Sequence, residues 1–112
     1  MPNEERRVQI NGRRWRIRLV PARQLARDAL GDCDHPPGPS PTIRVRRNLS
    51  QRLMLEILLH ECLHASRPEL DETAISITAQ ECAKVLYAFR YRRRTNADTS
   101  QRQAIRQGRS EP

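Results

Sequence analysis

Residues 50–76 read SQRLMLEILLHECLHASRPELDETAIS, and the reading of this stretch decides the fold. Leu53, Leu55, Ile57, Leu58, Leu59, Cys62 and Leu63 fall on almost every side of a 3.6-residue repeat, the pattern of a helix packed on two or more faces. Ser50 can cap its start and Arg67-Pro68 ends it, which predicts a helix over about 50–66. A second helix is predicted over about 69–91, where Ile75, Thr78, Ala79, Cys82, Leu86 and Phe89 form one stripe at spacings of three and four.

Upstream the period changes to two. Val8 and Ile10, then Asn11-Gly12, then Trp15, Ile17 and Leu19 with arginines between them, read as two strands over about 6–20 joined by an Asn-Gly hairpin turn. The alternation puts Trp15, Ile17 and Leu19 on one face and Arg14, Arg16 and Arg18 on the other. Pro36, Pro37, Pro39 and Pro41 lack amide donors and fix φ, so 31–41 is predicted as a loop. Thr42-Ile43-Arg44-Val45-Arg46 alternates again and is expected as a third strand over about 42–47, at the sheet edge, where arginines discourage unwanted pairing. The expectation is one α+β domain over 1–91, a small antiparallel three-stranded sheet packed on two helices. Residues 92–112, polar apart from Ile105, are expected to form a basic, disordered tail.

The whole chain has 112 residues and a formal charge of +8, enough for one small core and no more. No run approaches the roughly 18 to 20 apolar residues of a membrane span, and the polar start lacks the apolar core of a secretory signal. A cytoplasmic location without membrane contact is therefore expected. Three cysteines, Cys33, Cys62 and Cys82, are too few and too odd in number for a disulfide framework, so reduced thiols are expected. The charge is uneven: residues 1–49 carry +6, residues 50–89 carry −3 and residues 90–112 carry +5. Any function of the basic excess belongs to the ends of the chain and not to its middle.

The acidic middle holds His60-Glu61-Cys62-Leu63-His64, an H-E-x-x-H motif inside the stretch that periodicity makes a buried helix. Residues i and i+4 project from one helix face, so both imidazoles can reach one zinc ion while Glu61 holds the attacking water. Zinc lowers the pKa of that water and Glu61 takes its proton, which is hydrolysis of a peptide bond without a covalent intermediate. A catalytic zinc takes three protein ligands, so one more is required. The position six residues past His64 is Leu70, which cannot ligate; the next side chains that can are Asp71 and Glu72, of which Glu72 has the longer reach. Both acids also suit the positive end of the second helix's dipole.

A short sheet, a helix with His60-Glu61-Cys62-Leu63-His64 and a second helix opening Asp71-Glu72-Thr73-Ala74-Ile75-Ser76 resemble the gluzincin branch of zinc metallopeptidases. Within that branch the chain is similar to the minimal, single-domain minigluzincins of bacterial and phage genomes. The resemblance covers about 8–91, and its specific part is 58–76. It implies His60 and His64 as zinc ligands, Glu61 as general base and Glu72 as the ligand from the second helix. It also implies that the expected edge strand Thr42 to Arg46 binds an extended peptide or protein substrate by strand addition. Glu72 follows His64 by only eight positions, so the turn over Ser66 to Leu70 must be tight. The oxyanion donor that the resemblance calls for has two kinds of candidate. His35 lies in the loop; Tyr87 and Tyr91 lie roughly 22 to 28 Å along the second helix from Glu72, a place for packing or surface residues.

Two other features admit other functions. Cys33-Asp34-His35 offers a thiol that could cap the zinc, or half of another metal site, although no second Cys-x-His or Cys-x-x-Cys completes one. Cys62 and Cys82 are expected to meet between the helices as small apolar residues. Arg14, Arg16 and Arg18, then Arg44, Arg46 and Arg47, then Arg90, Arg92, Arg93 and Arg94 could line a surface for nucleic acid or an acidic partner. The scarcity of aromatics for base stacking, with one Trp, one Phe and two Tyr, argues against that role. A zinc-binding or basic interaction module without turnover is the alternative to a peptidase.

Overall fold

The computed structural model describes residues 4–94, a four-stranded mixed sheet and two helices. Strands β1 (Glu4–Ile10) and β2 (Arg13–Val20) form an antiparallel hairpin in which Val8 faces Trp15. Asn11 and Gly12 both take positive φ, 52° and 75°, the backbone a tight hairpin between right-twisted strands requires. After β2 the chain makes a short 3₁₀ turn at Ala22–Gln24, enters β3 (Gly31–Cys33) and returns as β4 (Thr42–Arg46).

The strand order is β1-β2-β4-β3, with β4 parallel to β2 and antiparallel to β3. Three expectations are corrected here. The sheet has four strands and is mixed, not three-stranded and antiparallel. The stretch 31–41 is not all loop, because its first residues pair with Ile43 to Val45. Thr42 to Arg46 is an interior strand, hydrogen-bonded on both sides, so it offers no free edge for a peptide. The parallel step is possible because residues 21–41 form a crossover connection long enough to carry the chain back.

The registers put Trp15, Ile17, Leu19, Ile43, Val45, Gly31 and Cys33 on one face. Helix α1 (Gln51–Ser66) covers that face, and Trp15, Ile43, Val45, Met54 and Ala65 make the core. The other face carries Glu5, Arg16, Arg18, Arg44 and Asp32. Glu5 pairs with Arg7, Arg16 and Arg18, while Arg44 bridges Asp32 and Asp34 at 2.9 and 3.0 Å. Helix α2 (Glu72–Ala88) lies on α1 through Ile75, Ala79 and Ala83, all buried. Sandwiched between the sheet and α2, α1 is apolar nearly all round.

Both helices start on side-chain caps: Ser50 Oγ accepts from Leu53 N at 3.3 Å and Asp71 Oδ1 from Ala74 N at 2.8 Å. The second helix is shorter than its stripe suggests. It starts three residues late because Pro68 and the Asp71 cap hold the turn, and it stops at Phe89 before Arg90 takes a φ of 70°. Arg92 stacks over the Tyr87 ring, and Arg93 donates from its backbone to Gln51 and from its side chain to Glu4, so Arg92 and Arg93 dock on the domain. The rest of the expected tail, 95–112, lies outside the described residues. No helix of the described residues is long and apolar enough to cross a membrane.

Candidate metal centre

His60 and His64 sit one turn apart on α1 and project from the same side, their rings 5.0 Å apart and inclined at 60°. The tight turn after Ser66 delivers the first residue of α2 against them. His60 Nε2 is 2.8 Å from Glu72 Oε1, and His64 Nε2 is 2.8 Å from Glu72 Oε2. One ligand atom from each of the three residues lies within 4.8 Å of the others. Donors around a tetrahedral zinc are roughly 3.3 to 3.5 Å apart, given bonds of about 2.0 to 2.1 Å, so small side-chain shifts fit this His-His-carboxylate set to the ion. Glu72 also stands in the first turn of α2, where the helix dipole favours a carboxylate.

Asp71 is not brought to this cluster. Its carboxylate is spent on the α2 cap, where it accepts from Ala74 N, and Glu72 alone converges on the histidines. Glu61, next to the first histidine, lines the same cleft, lies close under Gly31 of β3 and is only 7% exposed. Burial, with the negative charges of Asp32 and Glu72 nearby, pushes its carboxyl up to about 7. A carboxylate poised near neutrality can both accept and return a proton.

The cluster opens into a cleft of about 630 Å³ whose walls are β3 with Leu30, α1 from Ile57 to His64, and the turn at Pro68 and Leu70. His35, exposed at the start of the proline-rich loop, lines this cleft. Tyr87 and Tyr91 are not among its walls; Tyr87 carries the Arg92 stack and Tyr91 is exposed. Cys33 lines the cleft but stands outside the three-residue cluster, with Sγ donating weakly to Asp34 O at 3.8 Å. Burial and the nearby acids, Glu61 foremost, push its thiol up to about 12, which keeps it protonated at neutral pH.

Cys62 packs against the core beside Cys33, whereas Cys82 is exposed; the expected meeting of Cys62 and Cys82 between the helices does not occur. Of the arginines suggested for a nucleic-acid surface, Arg16, Arg18 and Arg44 are engaged by acids of the sheet itself.

Two residues that shape the cleft escaped the sequence reading, Gly31 and Asp32. A Cβ on Gly31 would come within 2.9 Å of Ile57 Cγ2, 3.0 Å of Arg44 O and 3.2 Å of Glu61 Cγ, so only glycine lets β3 lie this close over the motif helix. Leu30 O accepts from Arg46 N at 2.8 Å and Asp34 N donates to Thr42 O at 3.1 Å. In an antiparallel pair these bonds turn the amides of Gly31 and Cys33 away from β4, toward the open side of β3. The free edge at the cleft is thus β3. Compared with known proteins, the chain matches no family model, no curated protein and no solved structure.

Proposed function

We propose that the chain is a zinc-dependent metallopeptidase of zincin-like, gluzincin type, with one zinc held by His60, His64 and Glu72. The observation that carries this reading is the convergence of two imidazole nitrogens and one carboxylate on a single point, beside a buried Glu61 and at the mouth of a cleft. In such a site zinc supplies water activation at neutral pH and polarisation of the scissile carbonyl.

The chain's own residues do the rest. Glu61 takes the proton of the attacking water and returns it to the leaving amine. His35, in the cleft wall, donates to the oxygen that gains charge as the carbonyl becomes tetrahedral. A peptide lies extended along β3, its backbone meeting the outward amides of Gly31 and Cys33, in place of the Thr42 to Arg46 edge expected from sequence. Leu30, Ile57 and Leu70 give the cleft apolar flanks for substrate side chains.

The test is cleavage of a mixed peptide library by the zinc-loaded full chain. Hydrolysis that disappears on chelation, returns with zinc and is absent from Glu61→Gln supports the reading. Bound zinc without cleavage of any peptide, together with duplex binding that falls steeply with salt, would replace it by a basic, zinc-binding interaction module.

A further inference from the structure

Helix α2 uses only one of its sides. Ile75, Ala79 and Ala83 are buried against α1, whereas about 100° around the helix lies a second line, Ala74, Thr78, Cys82, Val85 and Phe89. Its spacings of four, four, three and four keep it on one face over roughly 22 Å, and it contains no charge. Val85 is 56% and Phe89 76% exposed, and Thr78 and Cys82 are exposed as well. Monomeric helices seldom leave such a line to water.

The charges around the line choose its occupant. Along one flank of it stand Glu81 and Lys84, both exposed. An antiparallel copy, related by a two-fold axis across the helices, brings the same flank of both helices side by side. With the two-fold axis at Cys82, Val85 of one copy meets Thr78 of the other, and Phe89 meets Ala74. Glu81 and Lys84, on the same flank of the helix, then come opposite Lys84 and Glu81 of the other copy, which doubles every favourable pair by symmetry.

We infer that this face of α2 is the contact surface of an antiparallel homodimer, centred on Cys82. The inference is independent of the zinc reading, since none of Thr78, Cys82, Val85 and Phe89 lines the cleft.

Sedimentation of the full chain over a micromolar-to-millimolar concentration series tests it. The expected result is a monomer–dimer equilibrium that Val85→Glu weakens about tenfold or more, because it buries an unpaired charge at the interface. Glu81→Lys and Lys84→Glu should each weaken it, and the double exchange should restore it, a rescue that only the antiparallel pairing gives. A short bismaleimide should link two chains through Cys82 and fail with Cys82→Ser, the thiols of Cys33 and Cys62 being partly buried. All four positions are exposed, and unchanged circular dichroism and melting of the variants would verify that they fold. A monomer throughout the series overturns the inference. So does a dimer indifferent to Val85→Glu, or one in which the double charge exchange fails to restore what each single exchange loses.

Discussion

Gly31 and Glu61 are a matched pair. The carboxyl lies under the edge strand because the residue above it has no side chain, and the same closeness removes water from it. Gly31→Ala should therefore destabilise the fold by about 1 to 3 kcal/mol, the cost of an extra methyl in a packed site, read as a lower denaturation midpoint. A second consequence concerns pH. In the zinc-free chain the folded carboxyl is held up to about 7 while the unfolded one titrates near 4.5. Between these values the folded state binds more protons, so its stability falls as pH rises through the window, by about 3 kcal/mol in all, and is fully retained below it. Glu61→Gln should flatten that slope, measured by denaturant unfolding of metal-free protein at a series of pH values. In the zinc-loaded chain, under the proposed peptidase reading, the same substitution should leave metal affinity within a few fold and lower hydrolysis by about 10²- to 10⁴-fold, the worth of a positioned general base.

At the scale of elements, the turn from α1 to α2 sorts two adjacent acids into different tasks. Asp71→Ala should cost about 1 kcal/mol through the lost cap while zinc is still bound; Glu72→Ala should leave the cap intact and lose zinc affinity by orders of magnitude, as calorimetric titration of both variants can show. Much of this layout was legible beforehand. Alternation from Val8 to Leu19 and from Thr42 to Arg46 marked three strands, the all-round apolar pattern of α1 announced a helix covered on two sides, and His60 and His64 announced themselves by spacing. The rest lacked a local signal. β3 has only Gly31, Asp32 and Cys33, too few to show a period, and stands beside a run of prolines. Its pairing, and with it the interior place of Thr42 to Arg46, follows from how residues 21–41 cross the sheet, which no alternation encodes. Asp32 was invisible as a neighbour of Glu61 for the same reason.

At the scale of the whole molecule, the order is sheet, then α1, then α2, and the candidate metal centre sits where α2 begins on α1. Helix α2 reaches the rest of the domain chiefly through small residues, Ala79 and Ala83 with Ile75, so its attachment is modest. A metal clamping His60 and His64 to Glu72 would tie this outer layer to the middle one. Zinc at about a thousand times its dissociation constant should add about 4 kcal/mol to the unfolding free energy, visible as a raised melting temperature that chelation reverses and Glu72→Ala abolishes. The sheet's outer face points the other way in function: its arginines hold Glu5, Asp32 and Asp34, so much of the basic excess stabilises the sheet before it meets any partner.

The most direct test of the central claim is calorimetric titration of the metal-free full chain with zinc. The account predicts one ion per chain, with binding abolished by His60→Ala, His64→Ala or Glu72→Ala. A folded chain that takes up no zinc, or one whose zinc is indifferent to all three substitutions, would contradict it.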